Sequence, residues 1–523
     1  MGKSPLKAVP NPQLDNVDCL ILMLISALAF IIRYWIIFHP DGCVFDEVYF
    51  GNFSNFYIKS QFYYDIHPPL AKLVAFVFAN LSEYDGSINF NNAPTYPKPD
   101  YVWLRLVPAT FSALCCPLSY LSVRFCGFSH TAATTCALLV IFDTSLGTEG
   151  RHILSDGILH FFSILHICVL MYTFSIKNYG SKFNLWHIFT GLSLGAACSC
   201  KNTAWGLMPF DAYLYIVSFL PLIKKSYLDF FFQVFVYGVT LFLIQLLVYI
   251  LTFSIHFIVL PFSGPGTPYL PDEMKRQLIN NNQVKSALYA QRIRKPGLIY
   301  RTLSITLHMH RGNMGITEFH DSMSFPSQWP ILSGVMCYFW GRDGNEIRCI
   351  GNVFSYYFAL IGIITTTIQL INIFKGSKNE EDNESKKNDD QNNSSVKRAI
   401  NIYDNRFLLA FRFVFGWTVC YFPFYLIPRV MYQYHYCIPL IIGLMAFGSS
   451  LDLYIPKKWR ETFAVFVIIL TAFGFYLWSP LMYGTKQHDR EISIWTKRWI
   501  DGNADHQSRR ASYYASKARN SQK

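Results

Sequence analysis

Apolar residues fall in long unbroken stretches near 19–38, 103–124, 129–147, 153–174, 186–200, 203–222, 229–262, 352–374, 406–426, 430–450 and 461–482. Each approaches the roughly 20 residues a helix needs to cross a bilayer, so the pattern predicts an all-α polytopic membrane protein with about 11 transmembrane helices. Two shorter patterns differ. Tyr49, Phe50, Phe53, Phe56 and Tyr57 recur at spacings of three and four among small polar residues, which predicts a helix with one aromatic face lying in the membrane interface. The apolar stretch 68–82 opens with two prolines and is short for a span, so it reads as a second interfacial or re-entrant helix.

The composition agrees: 52% of the 523 residues are hydrophobic and only 15% charged. A net charge of +12 would suit nucleic acid, but the cations collect in short segments between apolar runs, where they set orientation, and a nucleic-acid partner is not expected. A cytosolic N-terminus (1–18) puts Lys177, Lys182, Lys224, Lys225, the Lys-rich 375–398 segment, Lys457, Lys458 and Arg460 on the cytosolic side. The first run lacks a small-residue cleavage site and reads as a retained anchor. It opens an N-terminal transmembrane module (19–262) whose first lumenal loop is 39–102. Residues 263–351 form a second lumenal loop. The last spans (352–482) enclose a low-complexity cytosolic loop, 376–405, expected to be disordered. The odd span count makes the basic tail 483–523 lumenal. Thirteen cysteines are scattered, mostly in apolar runs, without CxxC or Cys/His ligand spacing, and suggest neither a disulfide scaffold nor a zinc site.

Candidate chemistry gathers on the lumenal side. Asp46 and Glu47 follow the first span by about eight residues; a carboxylate against membrane and aromatic surface suits a general base, although acids also favour helix starts. Adjacent residues point apart, so the two carry different roles. Arg33 near the lumenal end of the first span, Arg105 at the start of the second and Arg429 in a late lumenal turn could converge on a phosphate with Lys201, or each could simply snorkel. Asp65 and His67 precede the second interfacial helix. Asp143, Glu149, Arg151, His152 and Asp156 crowd one turn, and His435 follows Arg429; substrate positioning and ordinary structural roles both remain open for these.

The stretches "FDEVYFGNF", "YYDIHPPLAKL", "LRLVPATFSA", "DTSLGTEGRHILSDGILHFF", "SGPG" and "FPFYLIPRVMYQYHY", in order from about residue 17 to 450, resemble the protein O-mannosyltransferases, which use dolichyl phosphate mannose and have the GT-C fold. The resemblance implies two lumenal juxtamembrane helices in the first loop, an acidic catalytic pair on Asp46 and Glu47, and family arginines on Arg33, Arg105 and Arg429. It further implies mannose transfer, inverting, to Ser or Thr hydroxyls of secretory-pathway proteins in the endoplasmic reticulum membrane, and a possible homo- or heterodimer with a family member. One departure stands out: many eukaryotic members carry a β-trefoil (MIR) insertion where this chain has only 263–351. Fixed cations can assist phosphate departure, so neither a metal nor another cofactor is expected. The alternatives are another lipid-linked sugar transferase acting on a glycolipid, and a transporter, which the lack of internal repeats disfavours.

Overall fold

The computed structural model describes residues 14–91, 93–176, 179–279, 296–384, 406–487, 507–513 and 515. All the apolar runs are helical. In chain order the first ten helices are α1 (Asn16–Tyr34), α2 (Glu47–Ile58), α3 (Leu70–Leu81), α4 (Tyr101–Phe125), α5 (His130–Ile141), α6 (Thr144–Gly150), α7 (Asp156–Thr173), α8 (Ser181–Cys198), α9 (Leu207–Phe219) and α10 (Tyr227–Val259). Long helices follow at Val353–Glu384, Arg406–Tyr421, Cys437–Tyr454 and Lys457–Tyr483.

Among the described residues, 9 helices are long and apolar enough to cross a membrane, or 10 if the bent pair α5 and α6 is one span. With α8 counted as well, this agrees with the expected count of about eleven. Helix α8 falls outside the apolar set because Lys182, Asn184 and His187 make its first half polar. Its polar groups are satisfied inside the bundle, where His187 bonds Tyr215 at 2.6 Å and Thr240 at 2.8 Å.

Burial separates the centre of the bundle from its rim. In the span Gln433–Tyr454, 94% of the apolar stretch is buried, against 17% in α10, whose Phe231, Phe235, Leu243, Leu247 and Leu251 face outward. Lipid is as apolar as leucine, so helices in a bilayer associate by close packing. At Gly362 an added Cβ would lie 2.4 Å from the Phe447 backbone, so that glycine lets the Val353–Glu384 helix reach the central one.

The bend of 59° between α5 and α6 leaves a helix end inside the bundle. Arg33 closes it: Nη1 and Nη2 donate to the carbonyls of Ile141 and Val140 at 3.1 and 3.3 Å, and Nε to Ser112 Oγ at 3.1 Å. A cation at a helix C-terminus meets both orphan carbonyls and the negative end of the dipole. On the other side of the bend, Asp143 accepts from Leu146 N–H at 3.0 Å, Ser145 at 2.6 Å and Asn352 N–H at 3.1 Å. At the far end of α1, Asp18 is held by Arg124 at 2.7 Å and Tyr120 at 2.6 Å, joining α1 to α4.

Helices α2 and α3 have 12 residues each, about 18 Å at 1.5 Å per residue, which is short of a bilayer. They pack on one another. Two findings depart from expectation in the later loops. Residues 376–384 continue the helix Val353–Glu384, while the rest of the 376–405 segment lies outside the described residues. The loop 263–351 contains a two-stranded antiparallel hairpin, β1 (Cys337–Arg342) and β2 (Asn345–Cys349). Its turn places Asp343 at φ 54° and Gly344 at φ 79°, the paired positive φ of a tight hairpin turn that Asp-Gly accommodates. Of the tail, residues 507–513 lie against the same loop, with Arg510 3.2 Å from Asp321. Ser324 N–H in turn donates to the Met431 carbonyl at 2.9 Å.

Candidate active site

The adjacent acids diverge completely. Glu47 is fully buried at the start of α2, where Oε1 accepts from Arg105 Nε at 2.7 Å and Ile153 N–H at 3.0 Å. Its Oε2 accepts from Arg105 Nη2 at 2.8 Å, Val44 N–H at 3.0 Å and Tyr96 OH at 3.0 Å. Five donors saturate that carboxylate. Asp46 occupies the residue before α2 but makes no side-chain capping bond there, and it keeps a partly accessible surface. Burial raises its carboxyl to about 6, tempered by Lys201 and Arg429 and reinforced by Asp156 and Asp65. A half-buried acid poised there is a competent proton acceptor near neutrality.

The backbone behind Asp46 is strained. Phe45 has φ 49°, a conformation costing a non-glycine residue about 1–3 kcal/mol. Hairpin β1 holds it in place: Phe45 N–H donates to the Phe339 carbonyl at 2.9 Å, and the two rings stack with centroids 4.2 Å apart and planes 8° from parallel.

Around Asp46 stand groups from distant parts of the chain. Lys201, before α9, donates to Asp156 at 2.9 Å and lies over the Tyr434 ring at 5.4 Å. Arg429 donates to Asn313 Oδ1 and to the Val430 carbonyl, and partial burial lowers its basicity. Glu149, carried in by α6, is buried with Oε1 unbonded and lies within electrostatic reach of Asp46, Asp156 and Lys201. Lys72 pairs with Asp65 and donates to the His67 carbonyl at 2.7 Å. His67 has a buried, unbonded Nδ1, and burial together with Lys201, Lys72 and Arg429 keeps its ring neutral. His435 receives Tyr432 N–H at 3.2 Å and stacks on Tyr434. A small cavity of about 20 Å³ opens among Tyr63, Tyr64, Asp65, His67, Lys72 and His256.

The structure therefore brings together Asp46, Asp65, His67, Glu149, Asp156, Lys201, Arg429 and His435. It does not bring in the other sequence-predicted residues. Arg33 is the helix cap described above and meets neutral carbonyls in place of an anion. Arg105, expected at a donor phosphate, gives every nitrogen to Glu47 or to the carbonyls of Ile37, Pro40 and Gly42. Arg151 donates to Trp35 and Ile36 carbonyls and lies over Tyr483 at 4.4 Å. His152 is enclosed with neither ring nitrogen hydrogen-bonded, 3.8 Å from Glu47. Sequence reasoning passed over Phe339 and Lys72. The Asp-Gly turn signalled the hairpin, and a lone cation in an apolar helix signalled Lys72.

The one grouping of carboxylate and imidazole ligands among the described residues is Asp15, Asp18 and His130, at the opposite end of α1, and Arg124 already occupies Asp18.

Comparison with known proteins adds a second line. Residues 23–261 match the family described as dolichyl-phosphate-mannose-protein mannosyltransferase, and residues 299–502 match the C-terminal four-transmembrane region of protein-O-mannosyltransferase. Dolichyl-phosphate-mannose--protein mannosyltransferase 3 of Saccharomyces cerevisiae is 32% identical over 274 residues, 50% of this chain and 36% of its own length. Protein O-mannosyl-transferase 2 of Danio rerio is 31% identical over 282 residues, 52% and 37% of the two chains. The matched part thus spans little more than a third of these curated relatives. A chain of the S. cerevisiae protein O-mannosyltransferase Pmt1-Pmt2 complex shares the fold, with a TM-score of 0.78 at 17% identity over 96% of each chain. With two consecutive family regions matched in order and the fold shared end to end, the chain belongs to the protein O-mannosyltransferase family.

Proposed function

We propose that this chain transfers mannose from dolichyl phosphate mannose to Ser or Thr hydroxyls of secretory-pathway proteins, with inversion at the anomeric carbon. One observation carries the assignment of the base: of two adjacent acids, Glu47 is saturated by five donors and Asp46 is left for chemistry. The acceptor hydroxyl gives its proton to Asp46 as its oxygen bonds to the anomeric carbon. The bond from that carbon to the phosphate oxygen breaks, and its electron pair leaves with the lipid phosphate. Arg429 and Lys201, the cations that act electrostatically on Asp46, stabilise that developing charge. Fixed cations of this kind support departure without a metal. Glu149 and Asp156 offer acceptors to sugar hydroxyls.

The family and the many apolar helices support an endoplasmic reticulum membrane setting with the Asp46 face in the lumen. The pairing of Pmt1 with Pmt2 in the yeast complex supports a dimer with a family member. The test is transfer of radiolabelled mannose from dolichyl phosphate mannose to a Ser/Thr peptide in membranes holding this chain. Label on peptide is expected; label on glycolipid alone would assign a different acceptor.

A further inference from the structure

Two of the thirteen cysteines face one another across the hairpin beside Asp46. Cys337 opens β1, Cys349 ends β2, and the two are direct register partners. Both are free thiols in the structure, fully buried on the inner face of the hairpin next to Phe339 and Ile347. Opposed residues in an antiparallel pair have Cα atoms about 4.5 or 5.5 Å apart, and both values fall inside the roughly 4.4–6.8 Å range of disulfides. Cys349 Sγ also lies 3.9 Å from the Ser145 carbonyl, so this end of the hairpin sits on the start of α6, the helix that carries Glu149.

We propose that Cys337 and Cys349 form a cross-strand disulfide that closes the hairpin over the catalytic base. The proposal rests on the reading above for one point, that this face is lumenal, where thiols meet an oxidising environment. Formation is a thiol–disulfide exchange. One cysteine thiolate attacks a small disulfide such as glutathione disulfide, releasing one thiol; the second attacks the mixed disulfide, releasing another. The cysteines lose two electrons and two protons, and the oxidant becomes two thiols. Burial raises both thiols well above their ordinary range in the folded chain, so the bond forms before the hairpin packs and persists afterwards.

Closing the hairpin at its open end fixes β1, and β1 supplies both the carbonyl and the ring that hold Phe45 ahead of Asp46. The bond is therefore a structural clamp on the base. A nearby third thiol, Cys437, lies 4.0 Å from Ser145 Oγ and provides the competing partner that an experiment must separate.

The test is to denature membranes in excess N-ethylmaleimide, digest without reductant and map the cysteines by mass spectrometry. A linked Cys337–Cys349 peptide pair, two hydrogens lighter than the separate peptides and free of maleimide, is expected. Maleimide on both residues, or a Cys349–Cys437 link, would overturn the proposal. In parallel, the Cys337→Ala/Cys349→Ala chain should show a lower unfolding midpoint and at least threefold slower transfer; unchanged midpoint and rate would remove the clamping role. Should that variant fail to fold, the peptide map of the unaltered chain decides. The two readings separate cleanly. An active chain with free thiols retires the disulfide alone, whereas a linked pair in a chain with no transferase activity retires the transferase alone.

Discussion

Phe339 lies flat on Phe45, their ring centroids 4.2 Å apart, and the Phe339 carbonyl takes the Phe45 N–H at 2.9 Å. A hairpin nearly three hundred residues downstream thereby sets the backbone directly before Asp46. Stacked aromatic pairs are worth about 0.5–1.5 kcal/mol beyond their area, so Phe339→Leu should slow transfer about two- to tenfold. The backbone hydrogen bond survives that change, and the detergent size-exclusion profile should stay normal. Initial rates alongside the profile check both parts.

The acid pair gives opposite outcomes when neutralised. Asp46→Asn should abolish transfer and leave a folded chain, because that carboxylate makes no capping bond to α2 and Lys201 keeps its ion pair with Asp156. Glu47→Gln leaves Arg105 enclosed without its counter-charge, a change that typically costs about 3–5 kcal/mol. Its expected signature is loss of the monodisperse size-exclusion peak. Folded, inactive Glu47→Gln protein would move Glu47 into the chemistry.

The pH profile follows from Asp46 titrating at about 6. A general base acts unprotonated, so kcat/KM should be level above that pH and fall about tenfold per unit below it. Arg429 favours the charged form. Arg429→Gln should therefore move the acid limb to higher pH, in addition to any loss of donor binding. A profile that keeps its midpoint in the variant would separate Arg429 from Asp46.

Arginine-to-lysine changes distinguish phosphate contact from scaffolding. Arg429→Lys keeps charge but loses the planar fork, and should raise the KM for dolichyl phosphate mannose or lower turnover about five- to a hundredfold. Arg105→Lys should instead reduce the yield of folded chain, since its guanidinium ties Glu47 to three carbonyls. Rates measured against donor concentration, normalised to folded protein, resolve the two.

Much of this architecture is legible in the sequence because lipid imposes one rule on long apolar runs, and those runs became helices. The aromatic spacing of 49–57 likewise marked α2. What the sequence conceals is which polar groups answer one another. Arg33, Arg105 and Arg429 look equivalent in a one-dimensional reading, but the first two find carbonyls or Glu47 within the bundle, whereas Arg429 acts electrostatically on Asp46. The bend between α5 and α6 is equally hidden, because 129–147 reads as one apolar run. The run 186–200 did mark α8, but the pairing of its His187 with Tyr215 and Thr240 is another relationship that the sequence does not show.

Glu47 draws its donors from residues 44, 96, 105 and 153. During synthesis the last of these leaves the ribosome more than a hundred residues after the acid itself. Until the fourth apolar run has begun, the first three are an unfinished insertion intermediate with a carboxylate and a guanidinium at the membrane surface and part of their bonding unmet. Proofreading by a chaperone or protease that reads exposed polarity in the bilayer would have its window there, before the loop bearing Asp46 is locked and long before the hairpin arrives to complete it.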